Sequence, residues 1–247
     1  MMKLAKKFLL FACILTLCLG FTLTAQAADR QFKKQTVFFK EGQSKNLTLL
    51  NSETTPEVLY YDADSALFSY QVKGASSIRI TANRPGIDYI TVKNDGENIS
   101  CCLVILPKNN PAVKTRVTKK GNTVVTYKKA RVVLPPAWKK YGYVLLPHED
   151  SISFCSKTSY RSGYYGTVFT IAWCSEEEYV DRASYLPNFR FLKRSGGLVY
   201  YIELPTDVQF HPEKAKCQRH YNALEKTVKS IRKTFRVKAA PNPASSK

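Results

Sequence analysis

Residues 74–106 read GASSIRITANRPGIDYITVKNDGENISCCLVIL, and this pattern governs the expectation for the N-terminal half of the chain. From Ser77 to Ala82, apolar and polar residues alternate, which is the period of a half-buried strand. Two further β-prone runs, 89–93 and 99–106, flank Asp95-Gly96. Because glycine tolerates positive φ, the Asp-Gly pair predicts a tight hairpin turn between these runs.

Shorter β-prone runs precede this stretch, at residues 36–39, 45–50 and 67–72. Short strands at a spacing of roughly 8–12 residues are typical of a sandwich of two antiparallel sheets. We therefore predict an all-β sandwich over residues 28–106.

Three segments of this region also carry a family resemblance. They are Gly74–Ile78, with its glycine before an I-x-I strand, Pro85–Val92, with the pattern P-G-x-x-x-I-T-V, and the closing strand Cys102–Leu106. Together they resemble a bacterial immunoglobulin-like domain of the invasin/intimin type. The resemblance implies a spacer or adhesive module of a cell-surface protein, with no catalytic residue to carry over.

The first 27 residues have the pattern of a secretory signal peptide. Lys3, Lys6 and Lys7 precede an apolar stretch, and Ala25-Gln26-Ala27 has the small residues of a cleavage site. No later apolar run approaches the ~20 residues that a membrane-spanning helix needs. We expect a secreted protein, associated with the cell envelope, with no transmembrane segment after signal removal.

Charge divides the remaining chain into two parts at the sequence PKNNP, which begins at Pro107. Residues 28–106 contain 9 basic and 9 acidic residues, whereas residues 107–247 contain 26 basic and 10 acidic residues. The net charge of the chain, +19, therefore belongs to the C-terminal part and to the signal peptide. We predict a linker at 107–121, a basic domain at 122–237 and a disordered tail at 238–247.

The basic domain is predicted to be α+β, an antiparallel sheet with a long C-terminal amphipathic helix. Its predicted strands are residues 122–134, 151–156 and 167–174, followed by a hairpin of 189–193 with 198–204. Pro135-Pro136 ends the first strand, and Trp138 is a predicted core anchor. Ser175-Glu176-Glu177-Glu178 is a capping box that predicts a short helix after it.

The C-terminal helix has one apolar stripe and one basic face. The stripe follows helical spacing and comprises Cys217, Tyr221, Leu224, Val228, Ile231 and Phe235. The basic candidates for ligand binding on the opposite face are Arg219, Lys226, Lys229, Arg232 and Lys233. A solvated basic face on a packed helix is the simpler interpretation, and a helix that binds a membrane surface is the alternative.

The basic domain as a whole resembles an uncharacterised family of secreted or envelope domains from Gram-positive bacteria. The segments that carry the resemblance are Leu134–Trp138, Gly166–Ile171, Leu204–Phe210 and the final helix up to Phe235. This family brings no known activity, so the resemblance supports a domain boundary rather than a function.

Four further ligand-binding candidates lie outside the helix. Asp207 and Gln209 belong to an ordered loop, where Asp207 could equally cap a turn. Tyr164 and Tyr165 could stack on sugar rings or pack within a hairpin. His211, Cys217 and His220 are too few for the four ligands that zinc usually takes, so we predict no metal and no cofactor.

The mature chain has five cysteines, and export permits disulfides. Cys155 and Cys174 are disulfide candidates, because a symmetric hairpin between them would place them directly opposite each other. Two reduced core cysteines are the alternative. Cys101 and Cys102 are neighbours on a strand, so one should face the core and the other outward, free for intermolecular pairing or simply at an edge.

Together these features predict a binding or adhesion protein whose basic domain binds an anionic envelope polymer, a polysaccharide or a lipid headgroup surface. A surface protein is a further candidate partner, whereas export argues against nucleic acid. No nucleophile elbow, zinc-protease motif or phosphate-binding loop occurs in the sequence. The alternative function is a secreted carboxylate-based hydrolase of unknown substrate that uses Asp207 with Glu203 or Glu178, so catalytic activity stays open.

Overall fold

The computed structural model describes residues 30–60 and 67–238. The predicted signal peptide lies outside these residues, as do residues 239–247 of the predicted tail. Lys238, the first residue of that tail, donates its backbone N–H to the carbonyl oxygen of Lys129 at 2.9 Å and so belongs to the fold. No helix within the described ranges has the length and apolar character needed to cross a membrane.

The described part of the first domain is a sandwich of two four-stranded sheets. One sheet has the order β1 (Gln31–Phe32), β3 (Ser44–Leu50), β6 (Ser77–Ala82) and β5 (Phe68–Val72). The other has the order β2 (Thr36–Lys40), β8 (Glu97–Leu106), β7 (Gly86–Asn94) and β4 (Glu57–Tyr60). All pairs are antiparallel except β2 with β8, which is parallel. The predicted strands are confirmed.

The turn between β7 and β8 confirms the Asp-Gly prediction. Asp95 and Gly96 have φ angles of 49° and 88°, both in the left-handed region that such a turn requires. Thr54 and Glu53 donate hydrogen bonds to the Asp95 carboxylate, at 2.5 and 3.2 Å. These bonds lower the pKa of Asp95 and tie the turn to the loop before β4.

Strand β8 is buried on both faces over residues 101–105. Cys101, Leu103 and Ile105 point into the sandwich core, whereas Cys102 and Val104 point to the second domain. The residues of the second domain that pack against this outer face are Val144, Leu146, Cys155 and Tyr160. The outward thiol predicted for intermolecular pairing is therefore buried between the two domains, with Cys102 at 7% exposure.

The described part of the second domain has two sheets rather than the predicted single one. The four-stranded sheet has the order β17 (Arg236–Val237), β11 (Ala130–Leu134), β10 (Thr123–Tyr127) and β9 (Val113–Val117). The five-stranded sheet has the order β12 (Tyr143–Pro147), β13 (Ser151–Ser156), β14 (Thr167–Cys174), β16 (Leu198–Glu203) and β15 (Phe189–Ser195). The helices are α1 (Pro136–Tyr141), α2 (Lys157–Tyr160), α3 (Glu176–Tyr185), α4 (Ala215–Glu225) and α5 (Val228–Thr234).

Two predictions at the start of this domain were wrong. Residues 107–121 are not all linker, because β9 lies within them and pairs along its length with β10. Residues 122–134 are a hairpin rather than one strand. The chain reverses at Lys128, whose φ of 48° turns β10 back into β11.

The apolar stripe of the C-terminal helix is confirmed, since all six of its residues are buried. The predicted long C-terminal helix is confirmed over residues 215–234, with one irregular turn at Lys226 and Thr227, both in αR conformation, between α4 and α5. The Thr227 hydroxyl donates to the carbonyl oxygen of Leu224 at 2.6 Å and accepts the indole N–H of Trp138 at 2.9 Å. The second of these bonds ties the irregular turn to Trp138 of α1.

The predicted disulfide is not formed, and Cys155 and Cys174 are free and buried, as are the other three described cysteines. The β13–β14 connection is not a symmetric hairpin, because it contains α2 and a register shift beside Cys155. Cys155 pairs with Thr167, and Cys174 pairs with Val199 of β16. Cys174 lies seven residues further along β14 than Thr167, or about 23 Å away, which no disulfide can span.

Candidate functional site

Three predicted basic residues line one groove beside α5. Lys229, Arg232 and Lys233 share it with Phe191 and Leu192 of the edge strand β15, and its volume is about 500 Å³. We call this feature the α5 groove. Three cations therefore lie in one groove with Phe191, which is 40% exposed.

Helical periodicity explains why these cations share a face. Val228 and Ile231 are buried in the core, so positions 229, 232 and 233 point away from it. Residues three and four apart on a helix lie side by side. The apolar stripe that holds α5 on the sheet therefore also places the basic face beside β15.

The cations of the α5 groove are not neutralised by neighbouring acids. In the described part of the second domain, ion pairs join Arg182 to Glu178 and Arg194 to Glu176. Neither pair involves the groove cations. Arg194 also lies 4.8 Å from the centre of the Phe191 ring and is held there by two hydrogen bonds to Glu176.

The other two basic candidates lie outside the groove lining. Arg219 is exposed on α4, and Lys226 is exposed just after the end of that helix. The structure thus brings three of the five predicted cations together. Phe191 was missed by sequence reasoning, although the alternation of phenylalanine with basic residues in the strand FRFLKRS is a signal that could have indicated it.

A second cleft brings together Tyr165 and two predicted residues of the loop after β16. Asp207, Gln209 and Tyr165 line a volume of about 300 Å³ with Glu203 and Asn188. We call it the Glu203 cleft. Burial raises the pKa of Glu203, and the nearby Arg182 guanidinium partly opposes that shift.

Asn188 holds the loop that closes this cleft. Its side-chain amide donates a hydrogen bond to the carbonyl oxygen of Leu204 at 2.6 Å, whereas its buried Oδ1 atom has no hydrogen-bond partner within the described residues. Glu178, the third carboxylate predicted for a hydrolase, lies elsewhere. It completes the capping box by accepting the backbone N–H of Ser175, which confirms that prediction.

Tyr164 is separated from Tyr165 and lines a cleft between the two domains, where its ring centre lies 5.2 Å from that of His211. The Tyr165 ring is 51% exposed, and its hydroxyl donates to the carbonyl oxygen of Ile87 at 2.8 Å. The two tyrosines therefore belong to different surfaces, although they are adjacent in the sequence.

Two of the three residues weighed as metal ligands, His220 and Cys217, have other partners. The Nδ1 atom of His220 is 2.8 Å from the Thr158 hydroxyl, and the Cys217 thiol lies 3.7 Å from the Thr158 carbonyl oxygen. Within residues 30–60 and 67–238, no group of three or more His, Cys, Asp or Glu residues is arranged to hold a metal ion.

Comparison with known proteins gives distant structural similarities. No family model matches the chain, and no curated protein sequence does. The S-layer protein SbsC, domains 5 and 6, matches at 13% identity and a TM-score of 0.27, over 72% of this chain and 83% of that one. SbsC domains 4 and 5 match at 16% identity and a TM-score of 0.26, over 31% of this chain and 50% of that one.

A titin I27 domain mutant matches at 10% identity and a TM-score of 0.24, over 32% of this chain and 91% of that one. The chain spans half of the length of the SbsC fragment with domains 4 and 5. These are distant similarities to immunoglobulin-like domains and assign no family.

Proposed function

We propose that this is a secreted, cell-envelope-associated binding protein whose basic C-terminal domain binds an anionic polymer or surface through the α5 groove. The observation that carries the proposal is the grouping of Lys229, Arg232 and Lys233 without an acidic partner among the described residues. An unpaired cluster of like charge in a groove attracts polyanions more strongly than the same charges scattered over a surface.

The rest of the domain supports the same partner class. With 26 basic and 10 acidic residues after residue 106, the domain carries a positive field that steers any polyanion toward it. The exposed Phe191 ring offers an apolar contact beside the charges, as a sugar or lipid headgroup would use. Secretion and envelope association rest on the signal pattern and remain predictions.

Replacement of the three groove cations by glutamine (K229Q, R232Q and K233Q together) should weaken heparin binding by about 10–100-fold at low salt. Heparin serves as the polyanion probe, and retention is measured against increasing sodium chloride. Loss of three contacts should also lower the slope of log affinity against log salt by about three.

The matched control is the triple variant R116Q, K119Q and K120Q, which removes the same charge at exposed positions within and after β9. This strand is at the opposite edge of its sheet from β17, the strand that follows α5. Equal loss of binding in both variants would show that net charge, and not the groove, holds the polymer.

The hydrolase is the second candidate, and the Glu203 cleft is the observation that favours it. Glu203 is half-buried with a raised pKa, while Asp207 in the same cleft is exposed to water. Two carboxyl groups in one cleft, one half-buried and one exposed, are the kind of pair that general acid–base catalysis uses. Glu178 no longer belongs to this candidate, because the capping box engages it.

If the cleft is catalytic, Glu203→Gln and Asp207→Asn should each reduce hydrolysis of envelope polysaccharide by about 100-fold or more. Release of reducing ends is the measurement, and Glu225→Gln, at an exposed position of α4, is the control. Wild-type protein that releases no reducing ends from any envelope polysaccharide would eliminate the hydrolase.

A further inference from the structure

A cleft of about 670 Å³ lies between the two domains, and both supply its walls. We call it the interdomain cleft. Gln35, Tyr89 and Ser100 line it from the first domain, and Tyr164 and Lys214 line it from the second. Ligand sites occur preferentially at such domain interfaces.

The walls of this cleft present two aromatic rings. Tyr89 lies within β7 and is 48% exposed, whereas the other large apolar residues of this strand are mostly buried. Burial of its hydroxyl end, with the neighbouring Cys102 thiol, raises the pKa of Tyr89 to about 12. Its hydroxyl therefore stays protonated and able to donate at neutral pH. Tyr164 is half-buried and packs on the His211 ring.

The charges that line this cleft are positive, and none of its described lining residues is acidic. Arg30 is already paired with Asp95 and Glu97, at 3.4 and 3.7 Å. Lys214 is exposed and belongs to none of the ion pairs formed by the described residues. It is therefore the cation that a ligand could neutralise.

His211 contributes a polar ring atom to the wall of this cleft. Its Nδ1 atom is buried and has no hydrogen-bond partner among the described residues. Buried polar atoms in proteins are nearly always hydrogen-bonded, so this atom could accept a hydrogen bond from a ligand after a small movement of the side chain. The imidazole lies in the same wall as Tyr164 and Lys214.

We propose that the interdomain cleft binds an acidic sugar unit, which carries a carboxylate or a phosphate. The tyrosine rings offer flat apolar faces for the C–H side of a sugar ring, and Gln35 and Ser100 offer polar groups to its hydroxyls. Lys214 neutralises the acidic group. This site goes beyond the α5 groove, because it recognises one sugar unit by shape and stacking as well as by charge.

The test is calorimetric titration of the mature chain, residues 28–247, at about 0.15 M salt. The probes are cellobiouronate, cellobiose 6′-phosphate and neutral cellobiose, so the arms separate carboxylate, phosphate and uncharged sugar. We expect one acidic disaccharide or both to bind at 1:1 stoichiometry and at least about tenfold more tightly than cellobiose.

Three variants locate the binding. Tyr89→Ala should weaken binding of the acidic disaccharide about tenfold, and Tyr89→Phe should retain most of it because the ring remains. Lys214→Gln should weaken the acidic probe about tenfold and leave cellobiose unchanged. Thermal unfolding of each variant confirms that the fold is intact.

The triple variant of the α5 groove is the control, and it should bind the acidic disaccharides as the wild type does. Three results would overturn the proposal. The first is that neither acidic disaccharide binds at concentrations up to about 10 mM. The second is that Tyr89→Ala and Lys214→Gln both bind with unchanged affinity. The third is that the groove variant loses disaccharide binding.

Discussion

Replacement of Trp138 by alanine is expected to lower the free energy of unfolding by about 3–5 kcal/mol. The indole is completely buried and makes edge-on contacts with Tyr143, Phe154 and Phe169, at centroid distances of 5.6–6.2 Å. Its N–H is also bonded to Thr227. Alanine would leave a cavity where two sheets and the irregular turn between α4 and α5 meet.

Guanidinium denaturation followed by circular dichroism measures this loss. Tyr185→Ala is the control, because Tyr185 is 61% exposed on α3 and its removal should change stability by less than about 0.5 kcal/mol. Thr227→Val isolates the hydrogen bond and should cost about 1–3 kcal/mol, since the indole N–H stays buried. A Trp138→Ala loss below about 1 kcal/mol would contradict the role of Trp138 as the core anchor.

Replacement of Tyr160 by alanine is expected to separate the unfolding of the two domains and to cost about 3–5 kcal/mol. Tyr160 is completely buried between the domains, and its hydroxyl donates to the carbonyl oxygen of Ile105 at 2.7 Å. It packs with Cys102 and Val104 of β8. Without this ring the shared cluster has a cavity at its centre, and the coupling between the domains weakens.

The chain offers a direct measurement of this coupling. Both tryptophans, Trp138 and Trp173, lie in the second domain, so tryptophan fluorescence follows that domain, whereas circular dichroism follows both. The two transitions should coincide in the wild type and diverge in Tyr160→Ala. Tyr185→Ala, at a residue 61% exposed on α3, should cost about 0.5 kcal/mol or less and leave them coincident. Coincident transitions in Tyr160→Ala would contradict the coupling.

Local patterns in the sequence predicted the local structure well. The alternation around Ile78 and Ile80, the Asp95-Gly96 turn and the capping box at Ser175 each depend on residues close together in the chain. The helical stripe that ends at Phe235 is of the same kind. Such features are determined by short-range sterics and hydrogen bonding, so they are readable without the tertiary structure.

The features that sequence analysis missed depend on contacts between distant residues. The irregular turn at Thr227 is hydrogen-bonded to the indole of Trp138, which is 89 residues away in the sequence. The free state of Cys155 follows from the way α2 lengthens the connection between β13 and β14. From the sequence we expected one of Cys101 and Cys102 to face outward, whereas the outer face of β8 is covered by residues of the second domain that are distant in the sequence.

The candidate sites show the same difference between local patterns, which the sequence predicts, and contacts between distant residues, which it does not. Helical spacing was enough to place Lys229, Arg232 and Lys233 together, but not to show that Phe191 lies beside them. The separation of Tyr164 from Tyr165 depends on the packing of the second domain against β7 and β8.

The double burial of β8 has a mechanical consequence. A force that separates the two domains acts first on the apolar cluster and on the Tyr160 hydrogen bond. The short connection at residues 107–112 bears the force only after these contacts break. The second domain is thus attached to the first through a packed interface as well as through the chain, and a ligand bound in the proposed α5 groove would transmit force through that interface.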